Sequence, residues 1–376
     1  MPPSIDLSKI SEKDDLTPVL GDYWPGIQIY YPPIKFNPLD GSYESLEQAK
    51  LRLQKHAYKT NAHTLLFDLE DGCSQKELSR ELLLQELPQF PQHDFQIAIR
   101  INQFRTEEYE LDLKLLKQIH QYIDVIVLAK AGELYGDAEI RDLSSWLVSV
   151  NSDISIQPIV EHPKSLQIAS DMMQYSTVKH VVFGIHDFSK AMAYEITPEN
   201  WISELKTFFN MLTMEARITG TGVIGGVEVM LTPHAMPDKC IESKDIRRWL
   251  DLHGDEASRC VYKHAKIETA MGLTGKQVIH PNHINICKVA FEPSPNDILH
   301  NISILKAATE ANALLGGAIR YNGEMMDPPM FGKSLQILLR AYALRQLEDK
   351  DVGFVLDILN RLPLHIIREN WPYGQI

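Results

Sequence analysis

The stretch Phe67-Asp68-Leu69-Glu70-Asp71-Gly72 follows directly on the apolar run Thr64-Leu65-Leu66-Phe67. It crowds three carboxylates into four residues, and like charges at such close range repel one another. A fold holds such a group together when a cation balances it, either a bound metal ion or an Arg or Lys side chain. A solvated acidic turn is the simpler interpretation, and for this stretch alone it would be preferred.

The same pattern, an apolar run that ends in a charged residue, recurs along the chain. Ile97-Ala98-Ile99 ends at Arg100, and the run 156–160 ends at Glu161. The run 178–184 is followed closely by Asp187. Buried parallel strands read as continuous apolar runs, so these charged residues would all lie where strands stop. The recurrence favours one functional site over a set of unrelated acidic turns.

Apolar runs and amphipathic stretches alternate from about residue 26 onward. We predict strands at 27–31, 64–67, 96–102, 125–128, 154–160, 178–184, 223–230 and 277–279, with helical stretches between them. Eight such units predict an α/β fold, a (β/α)8 or TIM barrel, whose active sites lie at the C-terminal ends of the strands. A doubly wound open sheet is the competitor. It would carry a glycine-rich turn after its first strand, and Tyr31-Pro32-Pro33-Ile34 is not such a turn.

The pattern divides the chain into four segments. We predict an N-terminal extension at 1–25, the TIM-barrel catalytic domain at 26–290, a C-terminal helical and hairpin lid at 291–345, and a tail of unknown role at 346–376. The lid begins at a proline-rich break and contains Asn322-Gly323, a dipeptide typical of hairpin turns. Asp327 follows this hairpin.

The composition indicates a globular, cytoplasmic protein. Hydrophobic residues make up 44% of 376, enough for a large core, and the net charge of -13 argues against nucleic-acid or anionic-membrane partners. The cysteines (Cys73, Cys240, Cys260 and Cys287) show neither CxxC nor zinc spacing and suit a reducing compartment. Residues 1–20 lack the apolar core of a signal peptide, and no window is apolar enough to span a bilayer.

Glu161 and Asp187 are hard oxygen ligands at the ends of neighbouring predicted strands. With waters held by Asp68, Glu70 or Asp71, they suit Mg2+, which takes few protein ligands and several waters.

Two further features of this region are open to more than one interpretation. His162 and His186 flank the two acids and would suit Zn2+ or Fe2+, but a side chain adjacent to a strand-end acid is expected to point elsewhere. Arg100 is either a counter-ion for the acids or a group that binds a substrate carboxylate or a developing oxyanion.

Taken in order, the motifs resemble the HpcH/HpaI aldolase superfamily, in particular its citrate lyase β-subunit-like branch, which includes malyl-CoA and citramalyl-CoA lyases. The resemblance runs from about residue 62 to residue 340. It rests on Phe67-Asp-Leu-Glu-Asp-Gly72 with Lys76 and Arg80, Ile99-Arg100-Ile101-Asn102, Val127-Leu-Ala-Lys130, Ile159-Val-Glu161, Phe183-Gly-Ile-His-Asp187, Gly275-Lys276-Gln-Val-Ile-His-Pro281, Glu292-Pro-Ser-Pro295 and Asn322-Gly-Glu-Met-Met-Asp-Pro328.

The resemblance implies a carbon–carbon lyase or aldolase that cleaves or forms a 3-hydroxy acid or 3-hydroxyacyl-CoA through an enolate. It implies Mg2+, with Mn2+ as the alternative ion, held by Glu161 and Asp187 with waters from the 68–71 loop. It further implies Arg100 on the oxygen of the scissile carbonyl. Asp327 would act as acid/base on a neighbouring subunit of a homo-oligomer, a trimer or hexamer. The predicted site is therefore Arg100, Asp327 and Asp68 for catalysis, and Glu161, Asp187, Glu70 and Asp71 for the metal.

The first strand departs from the family. Members usually open with an Arg-Ser-apolar-Pro motif that helps to bind CoA, whereas the stretch Pro25 to Pro33 carries no Arg. We therefore expect a free 2-oxo or 3-hydroxy acid, rather than an acyl-CoA, as the ligand. The alternative function is a non-catalytic or repurposed barrel that binds a metal–carboxylate ligand. Such a barrel has no need of Asp327, so the presence of this residue argues for the enzyme.

Overall fold

The computed structural model describes residues 26–228, 230, 232, 236, 242–344 and 346–362. The predicted N-terminal extension and the end of the predicted tail, residues 363–376, lie outside the described residues. The strands are β1 Gly26–Tyr31, β2 Phe36–Asn37, β3 Ser42–Tyr43, β4 Thr64–Asp68, β5 Gln96–Ile101, β6 Val125–Leu128, β7 Ser155–Val160, β8 His180–Phe183, β9 Gly222–Gly225, β10 Gly275–Val278, β11 Ile319–Tyr321 and β12 Glu324–Met326.

Eight of these strands close into a parallel barrel in the order β1-β10-β9-β8-β7-β6-β5-β4, which confirms the predicted TIM barrel. The remaining strands form two small antiparallel hairpins, β2-β3 and β11-β12. The second hairpin turns at Asn322 and Gly323, both of which have positive φ, as the Asn-Gly dipeptide predicts.

The helices lie between and after the strands. They are α1 Leu46–His56, α2 Lys76–Glu86, α3 Glu107–Ile119, α4 Ala138–Ser149, α5 Pro163–Gln167, α6 Ala169–Met173, α7 Ile185–Ala191, α8 Lys206–Thr219, α9 Ser243–His253, α10 Glu256–Ala270, α11 Pro281–Phe291, α12 Pro295–Glu310, α13 Pro328–Ala343 and α14 Asp349–Arg361. None of the helices in the described ranges combines the length and apolar character that a membrane crossing requires.

Several predicted elements differ in detail. The helical stretch predicted near 165–175 is two short helices, α5 and α6, and the strand predicted at 223–230 ends at Gly225. Helices α7 and α11 were not predicted. A His-Pro pair precedes both α5 and α11, and in each case the imidazole caps the helix while proline occupies its first turn. That pair is a start signal for α11 that sequence reasoning missed.

The barrel strands are buried on both faces because their alternate side chains enter two different apolar clusters. In β4, Leu66 points into a cluster inside the barrel, whereas Leu65 and Phe67 pack outward against the helices. A third cluster is formed by α12, α13 and α14, with Leu305, Leu338 and Ile358 at its centre. The C-terminal helices therefore have an apolar core of their own.

The described cysteines, Cys73, Cys260 and Cys287, are free thiols, as the spacing predicts. Cys240 lies outside the described residues.

Candidate active site

A cavity of about 370 Å³ opens at the C-terminal ends of the barrel strands. Four of the predicted site residues line it together: Asp68, Arg100, Glu161 and Asp187. The rest of its lining is Tyr30, Pro32, Gly72, Ile159, Gly184, Ile185, His186, Gly226, Val227, Gln277 and Ile279. The structure thus brings residues from seven of the eight barrel strands or the loops that follow them into one concave, mostly apolar site.

Asp68 is the last residue of β4 and holds Arg100 in place. Its Oδ1 accepts a hydrogen bond from Arg100 Nε at 2.7 Å, and its Oδ2 accepts one from Nη2 at 2.6 Å. The backbone N–H groups of Glu70 and Gly72 each donate to the same carboxylate at 3.0 Å. Gly72 is required for this turn, since an added Cβ would lie 2.3 Å from Asp68 Oδ2. All of the acceptor directions of Asp68 are therefore used within the protein.

Glu161 and Asp187 are the acids that the structure leaves without a basic partner. Neither carboxylate makes a salt bridge among the described residues. Burial raises the pKa of Glu161 to about 8, and the charges of Asp187 and Glu70 add to this effect. A buried carboxylate with a raised pKa beside a second acid is a site where a cation would be favoured.

Glu70 and Asp71, which were predicted in the metal set, are not among the residues that line the cavity, and both contact Lys130. The ammonium of Lys130 binds Glu70 Oε1 directly and lies 3.2 Å from Asp71 Oδ2. Arg100 Nη1 lies 3.4 Å from Glu70 Oε2. Of the two interpretations of the acidic loop, a metal or a basic partner, the structure supplies the basic partner for Asp68, Glu70 and Asp71.

Side chains of α2, α3 and the end of β5 support the backbone of the acidic loop 68–71. Asn102 donates to the carbonyl of Leu69 at 2.8 Å and to the buried carboxylate of Asp112 at 2.7 Å. Arg80 binds the same Asp112 at 2.7 Å and so ties α2 to α3, and Lys76 donates to Asn102. These side chains fix the backbone from which Asp68 and Glu70 project.

The floor of the cavity is a chain of neutral polar groups. The Tyr30 hydroxyl donates to Gln277 Oε1 at 3.0 Å, and Gln277 Nε2 donates to Gln28 Oε1 at 3.1 Å. Gln28 and Gln157 exchange reciprocal amide hydrogen bonds at 3.0 and 2.9 Å. Arg100 lies over the Tyr30 ring, 4.9 Å from its centroid. Sequence reasoning missed this floor; its signal was the glutamines inside otherwise apolar strands.

The predicted Asp327 lies on the C-terminal segment, at the N-cap position of α13 after the hairpin, and its side chain makes no capping hydrogen bond within the described residues. It is not among the residues that line the cavity of its own chain. Of the two histidines, His162 caps α5 and lies outside the cavity lining. His186 does line the cavity, but its Nε2 is 3.0 Å from the carbonyl oxygen of Val227.

The donor set fits a hard divalent ion that keeps most of its waters. Among the described residues, no three His, Cys, Asp or Glu side chains gather as a metal-binding group. Two carboxylates that share a cavity and lack a counter-ion are too few for a structural zinc or calcium cage. They match Mg2+ or Mn2+, which the protein would bind through Glu161 and Asp187 with water or substrate in the other positions.

Comparison with known proteins agrees with this geometry. The family model for HpcH/HpaI aldolase/citrate lyase matches residues 46–243, more than half of the chain. The chain belongs to the HpcH/HpaI aldolase/citrate lyase family. Membership in this family places it among the carbon–carbon lyases, as predicted.

Individual members of the HpcH/HpaI family are similar to the chain over most of its length. The mitochondrial citramalyl-CoA lyase of Mus musculus is 33% identical over 75% of this chain and 80% of its own. The citrate lyase subunit beta of Haemophilus influenzae is 22% identical over 74% of this chain and 88% of its own.

Solved structures share the fold. A citrate lyase from Burkholderia xenovorans superposes with a TM-score of 0.63 at 18% identity, covering 88% of this chain and 96% of that one. Protein CitE from Mycobacterium tuberculosis, in complex with magnesium, acetoacetate and coenzyme A, superposes with a TM-score of 0.61 at 17% identity, covering 86% and 98%.

Proposed function

We propose that the protein is a Mg2+-dependent carbon–carbon lyase that cleaves or forms a 3-hydroxy acid, free or as its CoA thioester, through an enolate. One observation carries this proposal: Glu161 and Asp187, two carboxylates that make no salt bridge within the described residues, line the same cavity as Arg100. The family relatives add support, since one is named a citramalyl-CoA lyase and one structural neighbour was crystallised with magnesium, acetoacetate and coenzyme A.

Glu161 and Asp187 would hold the ion. When bound, a divalent ion supplies Lewis-acid polarisation of the oxygens of a hydroxy or oxo acid. The apolar wall formed by Ile159, Ile185 and Ile279 would exclude water from the reacting bond and strengthen the electrostatic interactions in the cavity. Mn2+ would serve in place of Mg2+, because both ions prefer oxygen ligands.

Arg100 would stabilise the oxygen on which the enolate charge develops. Its Nε–H and one N–H of Nη2 donate to Asp68, and its Nη1 lies 3.4 Å from Glu70 Oε2. This leaves N–H groups on both terminal nitrogens for a ligand in the cavity that Arg100 lines. Asp68, whose oxygens already accept from the protein, would act as a positioning residue that keeps this donor face fixed.

Asp327 would act as the general acid/base for the substrate hydroxyl. Its carboxylate would take the proton from the substrate hydroxyl in cleavage and return it in condensation. Because Asp327 does not line the cavity of its own chain, we propose that it reaches the cavity of a neighbouring subunit in a homo-oligomer, a trimer or hexamer. The hairpin that precedes it presents the exposed apolar side chain of Met325 for such a contact.

The test is product formation from a defined panel. The purified protein would be incubated with Mg2+ and with 3-hydroxy acids and 3-hydroxyacyl-CoA thioesters, and the release of a 2-oxo acid measured as its hydrazone. We expect release that requires Mg2+ and is abolished by Asp187→Asn. If Mg2+ and the acid bind by calorimetry but no member of the panel is cleaved or condensed, the protein is instead the non-catalytic, ligand-binding barrel.

A further inference from the structure

Lys130 connects the two groups of acids at the mouth of the barrel. It lies two residues beyond β6, and its backbone has φ 54, in the left-handed region. Its backbone N–H donates to Glu161 Oε1, and its ammonium binds Glu70 and Asp71. One residue thus contacts a predicted metal ligand through its main chain and two other acids through its side chain.

The backbone contact fixes the direction of Glu161. Lys130 N–H holds Oε1 on the β6 side of the carboxylate. On the β8 side, Oε2 lies so close to Gly184 that an added Cβ there would be 3.2 Å from it and only 2.5 Å from Glu161 Cβ. Glu161 is therefore held between Lys130 and the bare backbone of Gly184, from which the chain continues to Asp187.

The left-handed backbone shows that the lysine side chain has a use of its own. A glycine would offer the same N–H to Glu161 without the steric cost of a Cβ in this region. Lysine supplies what glycine cannot, namely an ammonium, on a side chain that is 27% exposed, beside a Glu70 side chain that is 6% exposed.

The charge balance at Lys130 follows from these contacts. With the Lys130 ammonium on Oε1 and Arg100 on Oε2, Glu70 has basic partners on both sides. Without the ammonium, Glu70 and Asp71 would add their negative charge to that of Glu161 and Asp187.

We propose that Lys130 is a positioning residue that restricts the site to one divalent ion: its N–H aims Glu161 into the cavity, and its ammonium occupies Glu70 and Asp71 so that they do not bind a second cation. This inference rests on the proposed metal-dependent function. It assigns Glu70 and Asp71 to the lysine and leaves Glu161 and Asp187 as the protein ligands of the ion.

Lys130→Met separates the two contacts, because it keeps the backbone N–H and removes only the charge. Mn2+ would be titrated into the metal-free protein and the free ion counted by electron paramagnetic resonance, with Mg2+ affinity measured by calorimetry. For wild type we expect one ion per chain. For Lys130→Met we expect a second ion, or binding of the first about tenfold tighter, because two carboxylates lose their counter-charge. Lys130→Gln is the replacement should the methionine variant not fold.

Two matched variants show whether the effect is one of charge. Lys130→Arg retains the cation and should bind one ion like wild type. Glu70→Gln combined with Lys130→Met removes one charge of each sign and should return the stoichiometry and affinity to those of wild type.

One ion of unchanged or weaker affinity in both Lys130→Met and Lys130→Gln would overturn the inference and leave the proposed lyase intact. A wild-type protein that binds no Mn2+ would overturn the proposed function and this inference with it.

Discussion

Asp68 and Arg100 are register partners on the neighbouring strands β4 and β5, and their side chains meet in a two-point ion pair of 2.7 and 2.6 Å. Because both residues project from strands rather than loops, the guanidinium has little freedom to rotate. Its remaining donors are thereby aimed before any ligand arrives, which is the arrangement that stabilises a developing negative charge most effectively.

Arg100→Lys tests this arrangement. A lysine replaces the planar fork by a point charge and cannot satisfy both Asp68 oxygens while facing a ligand. We expect a folded protein that binds Mg2+ normally and has a kcat lowered by about 100-fold, measured as 2-oxo acid release. Arg105→Lys, which changes an arginine outside the cavity lining, is the control. A near-normal kcat for Arg100→Lys would reduce Arg100 to a structural counter-ion.

Asp187→Asn tests the metal. The residue lies in the first turn of α7 and is exposed to the cavity. Replacing its carboxylate with an amide should therefore change the free energy of unfolding little. The loss of one anionic ligand should weaken Mg2+ binding by about 10-fold or more, as calorimetry would show. Asp171→Asn on α6 changes an acid that does not line the cavity. Equal Mg2+ affinity in Asp187→Asn and wild type would rule out the ligand assignment.

Glu139 gives a prediction for stability against pH. This side chain on α4 is 3% exposed, and its Oε1 has no hydrogen-bond partner in the part of the chain that the structure describes. Burial raises its pKa to about 8 from a reference value of 4.5. The folded state thus binds the proton more tightly than the unfolded state, so stability falls as the pH rises from 4.5 towards 8.

Glu139→Gln removes this titration. We expect the variant to be more stable than wild type by about 5 kcal/mol at a pH near 9, and the two to converge as the pH falls below about 4. Denaturant unfolding at several pH values would measure the difference. Glu110→Gln, at an exposed position on α3, is the matched control. The same stability gap at every pH would show that Glu139 does not titrate as described.

Asp327 can be tested by mixing subunits. If it serves a neighbouring barrel, Asp327→Asn should be inactive, yet oligomeric and able to bind metal. Mixing it with inactive Arg100→Ala subunits should regenerate sites that hold both wild-type groups. Recovery of activity in the mixture, against none in either variant alone, would support the shared site. An active protein that sediments as a monomer would show that Asp327 acts within its own chain.

The substrate test concerns CoA. Strand β1 carries no arginine. At its end, Arg52 from α1 donates to the carbonyl oxygens of Pro32 and Pro33 at 3.0 and 2.9 Å and lies 4.6 Å from the Tyr31 ring centroid. This arginine is occupied by Glu44 as well. We expect binding of acetyl-CoA and propionyl-CoA weaker than about 1 mM by calorimetry, with a free acid preferred. Sub-millimolar affinity would restore the thioester as substrate.

The barrel and four of the residues that line its cavity were predictable, because each depends on a local sequence pattern. Buried parallel strands are apolar throughout, so their ends could be read from the sequence, and Asp68, Arg100, Glu161 and Asp187 do meet in one cavity. The partners of the acidic loop were not predictable. The contact between the Lys130 ammonium and Glu70 depends on a left-handed backbone two residues after β6, for which the lysine itself gives no signal.

The amide pair of Gln28 and Gln157 joins β1 to β7, which lie directly opposite each other in the barrel order. Both side chains are fully buried, so the pair closes the barrel beneath the cavity. A two-product cleavage in such a blind chamber cannot release one product below and the other above. The products leave one after the other by the entrance that the substrate used. The product that leaves second blocks the binding of the next substrate until it has dissociated. Steady-state kinetics should therefore show one product as a competitive inhibitor and the other as a noncompetitive one.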